Sequence, residues 1–118
     1  MSFGFKSDTP IYLQIIEHIK LQIITKVYKP YDRLPSVREL SLIYEVNPNT
    51  VQKALSVLEE EGLIFTERTN GKFVTGDGDV IKAVTSDTVE VMISEFLTSM
   101  KNLGYETSEV IKMIEEKE

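Results

Sequence analysis

Residues 34–58 read LPSVRELSLIYEVNPNTVQKALSVL, and this stretch decides the fold. Ser36 is followed three residues later by Glu39, the spacing at which each side chain satisfies the other's backbone N–H, so a helix starts after Ser36. Val37, Leu40 and Ile43 supply its apolar stripe. Glu45-Val46 then leads into Asn47-Pro48, an N-capping residue followed by proline at the first helical position, where its missing N–H costs nothing. Val51, Ala54, Leu55 and Leu58 recur at helical spacing, so this second helix buries one face. Gly62 sits just past its end, as a C′ glycine does. Its other face shows Asn49, Thr50, Gln52, Lys53 and Ser56. Two short helices joined by a few residues, the second with an exposed polar face, form the pattern of a helix-turn-helix.

Downstream the period changes. Leu63-Ile64-Phe65-Thr66 and Phe73-Val74-Thr75 are β-rich runs flanking Thr69-Asn70-Gly71-Lys72. The Asn-Gly pair signals a hairpin, because such a turn needs positive φ. A hairpin directly after a helix-turn-helix is a wing. Upstream, residues 1–8 read as a short flexible arm. Thr9-Pro10 reads as a helix start, with Thr9 as cap, and Tyr12, Ile15, Ile16, Ile19 and Ile23 give one buried face. Val27 to Leu34 is a connection, in which Lys29 and Arg33 are expected to be solvated. His18 is expected at the surface or its boundary.

Gly76-Asp77-Gly78-Asp79 marks a boundary. Beyond it, residues 80–103 have helical period. Val84, Val89, Met92, Ile93, Phe96, Met100 and Leu103 form a stripe, with a break near Thr85-Ser86-Asp87. Gly104 ends this helix, and Thr107 or Ser108 caps a last one carrying Val110, Ile111 and Ile114. The expected class is mainly α with a small β-hairpin. A winged helix-turn-helix domain over 1–75 precedes a two-helix tail over 76–118.

The chain has 118 residues, enough for one domain or a small domain with an appendage. Its 42% hydrophobic and 27% charged residues are ordinary for a globular protein. With no cysteine, disulfides, thiolate metal sites and cysteine nucleophiles are excluded. A single histidine leaves nothing for a histidine metal cluster, so neither metal nor cofactor is expected. No glycine-rich phosphate loop followed by Lys and Ser/Thr occurs, and an enzyme is not expected. The N-terminus lacks a secretory pattern and no apolar run spans a membrane, so a cytoplasmic location is expected.

The net charge is −6, but it is unevenly placed. Residues 1–75 carry nine Lys/Arg and nine Asp/Glu, while 76–118 carry four Lys and ten Asp/Glu. All the excess acid lies in the tail, so an acidic chain can still present a locally basic face. The consecutive acids Glu59, Glu60 and Glu61 are expected to face away from DNA or to cap nothing, since acids near a helix C-terminus oppose its dipole. A tail of 43 residues is too short to bury its own stripe, and self-association of two tails is the economical solution.

The motifs PIYLQI (10–15), LPSVREL (34–40), VNPNTVQKAL (46–55), LEEEGLI (58–64) and GKFV (71–74) resemble those of the GntR family of bacterial transcription regulators. The short acidic tail resembles that of the YtrA-type subfamily, whose tail serves dimerisation. The chain departs from the family at Lys26 and Tyr31, where glycines are usual. The resemblance implies a homodimeric repressor on a palindromic DNA operator, with an unidentified small-molecule effector left open. It also implies operator contact by Arg38, Ser36, Arg68, Thr69 and Gly71. A recognition helix enters the major groove by its N-terminal part, which puts Asn47, Asn49, Thr50, Gln52 and Lys53 near bases or phosphates. Lys72 adds charge to the wing. Val89, Met92, Ile93, Phe96, Met100 and Leu103 are the expected dimerisation residues. The competing reading makes the winged helix a protein-interaction module, and the salt dependence of DNA binding separates the two.

Overall fold

The computed structural model describes residues 4–117, and along them runs the order helix, helix, helix, hairpin, helix, helix. The first helix, α1, spans Ile11–Ile24 and buries Ile15, Ile16, Ile19 and Ile23. Its start differs from the expectation. The N-cap is Pro10 without a side-chain bond, and the Thr9 hydroxyl turns to Asp8 at 3.3 Å. Gln14 secures this end instead. Its Nε2 donates to the carbonyls of Thr9 (2.8 Å) and Lys6 (2.9 Å), while its Oε1 accepts from the Lys6 N–H at 2.8 Å. The expected arm over 1–8 is therefore tied to α1 at Lys6, and residues 1–3 lie outside the described residues.

Helix α2, Val37–Tyr44, carries the complete capping box. Ser36 Oγ accepts from the Glu39 N–H at 3.1 Å, and Glu39 Oε1 accepts from the Ser36 N–H at 2.9 Å. Its buried seam is Leu40, Ser41 and Tyr44, while Ile43 is 46% exposed, so the stripe turns one residue away from the expected one. Tyr44 is drawn inward by a partner. Its hydroxyl lies 2.6 Å from His18 Nδ1 on α1, with the two rings edge to face. The lone histidine is thus half-buried and hydrogen-bonded, joining α1 to α2. Burial, and then the neighbouring Tyr28, push the Tyr44 hydroxyl pKa well up.

Helix α3, Pro48–Glu60, begins at Asn47, whose side chain accepts from the Asn49 N–H at 2.8 Å. Val51, Ala54, Leu55 and Leu58 are fully buried, as the spacing predicts. It ends in a Schellman pair, Gly62 N–H to Glu59 O (3.0 Å) and Leu63 N–H to Leu58 O (3.1 Å).

Strands β1 (Ile64–Glu67) and β2 (Gly71–Val74) pair antiparallel, with Ile64 opposite Val74 and Phe65 opposite Phe73. Three residues connect them, and Gly71 rather than Asn70 takes the positive φ, at 105°. The connection before α2 also joins this sheet. Tyr31 N–H donates to Val74 O (3.0 Å), Leu34 N–H to Lys72 O (2.8 Å) and Val74 N–H to Asp32 O (2.9 Å). Residues 31–34 thus line the far edge of β2, with Arg33 bridged to Phe73.

Helix α4, Gly78–Asn102, runs unbroken through Thr85-Ser86-Asp87. Those three residues lower helix propensity without breaking a ladder, since none is Pro or Gly. The helix closes at Gly104, whose N–H bonds to Lys101 O at 2.9 Å while Tyr105 N–H reaches Met100 O at 3.0 Å. Helix α5 is Thr107–Lys117. The residue before it is Glu106, whose N–H donates to Glu109 Oε1 at 2.9 Å, so neither Thr107 nor Ser108 is the cap. The chain divides into two compact units between Lys82 and Ala83, inside α4, whereas the sequence suggests a division after residue 75. None of the described helices is long and apolar enough to cross a membrane.

Candidate nucleic-acid interface

The first compact unit presents its polar groups from three places: the start of α2, the outer face of α3, and the wing. Ser36 and Arg38 stand exposed at the start of α2, and Ser36 is held there by the capping box. Arg38 makes no ion pair with Glu39 or Glu45 among the described contacts, so its guanidinium is available for a ligand. On α3, Asn47, Asn49, Gln52 and Lys53 are exposed and Thr50 is half-buried. The Asn47 side-chain oxygen is committed to capping α3, which leaves its amide N–H groups for other work. The Lys53 ammonium stands 4.0 Å from the centre of the Tyr12 ring on α1.

The wing and the start of α2 enclose an open groove of about 350 Å³, lined by Ser36, Arg68, Thr69, Gly71, Lys72 and, unexpectedly, Arg33. Arg33 is exposed, as expected, but it is also tied to the wing. Its backbone is bridged to Phe73, and its guanidinium lies close to the turn at Gly71. A Cβ at residue 71 would come within 3.2 Å of Arg33 Nε, so glycine serves two ends there, a φ of 105° and room for Arg33. The only sequence signal for Arg33 was its charge just before the Leu34-Pro35-Ser36 motif. Its bridge to the wing is a tertiary fact.

Lys72 is brought to the wing but not left free. Its Nζ bonds to Glu59 Oε1 at 3.1 Å and to Thr66 Oγ1 at 2.9 Å, and Thr66 in turn donates to Glu59 Oε1 at 2.9 Å. Partial burial pushes the Glu59 carboxyl up, but the bonds from Thr66 and Lys72 and the Lys72 charge together outweigh it and hold it below its ordinary value. Glu59 is therefore the fastener between α3 and the wing, and Glu61 takes Lys20 at 3.4 Å. Both acids thus have cationic partners, a role that the sequence reading left unassigned. Phe65 and Phe73 stack at 5.8 Å between ring centres and stiffen the hairpin. The groove thus keeps two exposed guanidiniums, Arg33 and Arg68, without an ion pair among the described contacts, on a rigid support.

Residues 11–74 match the profile "Bacterial regulatory proteins, gntR family". The chain belongs to the GntR family. It is 34% identical to "Uncharacterized HTH-type transcriptional regulator YhcF" of Bacillus subtilis, over 97% of this chain and 94% of that protein. It is 50% identical to "HTH-type transcriptional repressor YtrA" of the same organism, over 59% of this chain and 54% of that protein. Among solved structures, a GntR family transcriptional regulator from Listeria monocytogenes superposes with a TM-score of 0.85 at 37% identity, covering 95% of this chain and 98% of that one. The DNA-binding domain of AraR in complex with operator ORX1 superposes with a TM-score of 0.56 at 26% identity, over 64% of this chain and 92% of that one. As a GntR regulator the chain is a DNA-binding transcription factor with the winged helix-turn-helix fold and the short helical tail of the YtrA type. The relatives are named as transcriptional regulators, not as enzymes.

Proposed function

We propose that this GntR regulator is a homodimeric repressor that occludes a promoter by binding a palindromic operator through α3 and the wing. The observation that carries the DNA-contact assignment is the groove between α2 and the wing, where Arg33 and Arg68 stand beside Ser36 with no ion pair among the described contacts. A planar guanidinium suits phosphate or guanine, and fixed cations on a rigid frame favour a polyanion even where the whole chain is acidic. Asn49 and Gln52 supply the amide groups that can read adenine, and Arg38 adds a further cation at the start of α2. Repression is supported by the naming of the relatives, YtrA included.

The dimer rests on the tail. Val89, Met92, Ile93, Phe96 and Leu103 are all exposed in the single chain, Leu103 by 72%, and Met100 is half-buried. No residue of α4 is buried. An apolar stripe of this length is stabilised by a second copy of itself, which also sets two winged domains against two half-sites, about 34 Å apart for sites one helical turn apart. A small effector would bind in or beside that dimer interface. We place the protein in the bacterial cytoplasm, with its DNA target.

Selection from random duplexes at moderate salt, read by sequencing, tests this reading. Enrichment of a palindrome supports it, and the half-site spacing reports the dimer geometry. A folded dimer that enriches nothing, or whose DNA binding does not weaken with salt, overturns it.

A further inference from the structure

Lys53 and Tyr12 come from different helices and meet on the flank of α3, the ammonium 4.0 Å from the ring centre. Packing alone does not call for an aromatic ring here. The core of α1 is made by its four buried isoleucines, while Tyr12 is only half-buried at the first turn. Lys53 is exposed and makes no ion pair among the described contacts, so a flexible four-carbon stem would otherwise sweep a wide arc. The ring face attracts the cation and narrows that arc. It also sets its direction. Asn49 and Gln52 point from the outer face of α3, whereas Lys53 leans back toward α1.

We infer that Tyr12 is a positioning residue for DNA binding. It holds the Lys53 ammonium on the α1 side of α3, where it neutralises a backbone phosphate at the edge of the major groove and reads no base. This rests on the proposed placement of α3 in the groove. It divides the labour on that helix: Asn49 and Gln52 specify, and Lys53 sets register and affinity. The Tyr12 ring lowers the entropy lost when the lysine engages.

The test uses the full chain, a mixed-sequence duplex, and a duplex enriched by selection, each titrated with salt. Lys53→Met is expected to weaken both duplexes by the same factor and to reduce the salt slope by about 0.9, the value for one phosphate. Tyr12→Leu is expected to weaken both about two- to fivefold, the range for an exposed cation–π pair, with the slope unchanged. Tyr12→Phe, which keeps the ring face, restores the affinity. In the Lys53→Met background, Tyr12→Leu costs nothing more. An equal loss from Tyr12→Leu in both backgrounds would mean that the ring only packs, and overturns the inference even if that variant is less stable. A Lys53→Met loss confined to the enriched duplex would make Lys53 a base reader, overturning the inference while leaving operator recognition intact. A wild-type chain binding both duplexes equally would overturn sequence-specific recognition and leave the pair standing.

Discussion

Among the described residues three non-glycines, Lys26, Tyr31 and Glu45, hold positive φ of 65°, 68° and 57°. Lys26 closes the end of α1, its N–H bonding to Ile23 O and that of Val27 to Gln22 O, so it occupies the position where glycine costs least. Its side chain makes no hydrogen bond or ion pair among the described contacts that would offset the strain. Lys26→Gly is therefore expected to stabilise the fold by up to about 1 kcal/mol in urea unfolding. Tyr31 has a compensation, because its ring lies over Gly76 and a Cβ at 76 would fall inside it. Tyr31→Gly should gain less than Lys26→Gly, and Gly76→Ala should destabilise; equal gains at 26 and 31 would show that the ring contact is worth nothing. At the interface, Arg38→Ala should weaken operator binding about tenfold or more while the dimer sediments unchanged. Unaltered affinity would remove Arg38 from the contacts. Asn49→Ala should shift sequence preference more than non-specific affinity; an equal fall in both would make Asn49 a positioning residue.

Among the elements, α2 is the most sharply encoded, and its capping box responds to pH. The Ser36 backbone N–H, then its hydroxyl, hold the Glu39 carboxyl below the ordinary carboxylate range, with Arg33 adding a smaller effect of the same sign. A folded-state value below the unfolded one means that the bond's contribution is complete above the ordinary range. It is lost as pH falls through the lowered value. An NMR titration should show the Ser36 amide shift inflecting below the usual glutamate midpoint, and a normal midpoint would deny the capping bond. Ser36→Ala removes the hydroxyl but keeps the backbone N–H, so Glu39 should move only part of the way back to its ordinary value, while the lost cap should cost about 1 kcal/mol of stability. The wing is fastened differently, by Glu59, Thr66 and Lys72 on one side and by residues 31–34 on the other. Lys72→Met should therefore loosen the hairpin, seen as faster amide exchange in β2, besides any effect on DNA.

For the whole molecule, the apolar stripe of the tail is the decisive feature. Met92→Glu or Phe96→Glu puts a charge into the proposed interface and should convert the dimer to monomer by sedimentation, with the winged domain still folded. A mutant that stays dimeric would move the interface elsewhere. Affinity for a palindrome should then fall more steeply than affinity for a half-site, because linking two sites multiplies their occupancy. In the proposed dimer, a short groove of about 300 Å³ between α4 and α5, lined by Phe96, Met100, Val110, Met113 and Ile114, would receive apolar residues of the second copy.

Periodicity and capping alone determined the element order, the buried faces of α1 and α3, the Ser36–Glu39 box and the hairpin. These are local matters, set by residues within a turn or two of one another. The polar face of α3 was legible for the same reason. Other features depended on contacts between residues distant in the chain: Tyr44 turned inward to His18, Arg33 laid against Gly71, Lys72 claimed by Glu59, and Lys53 placed over Tyr12. No spacing in the sequence encodes which charges find partners and which stay free, because that follows from which surfaces the packed helices bring face to face.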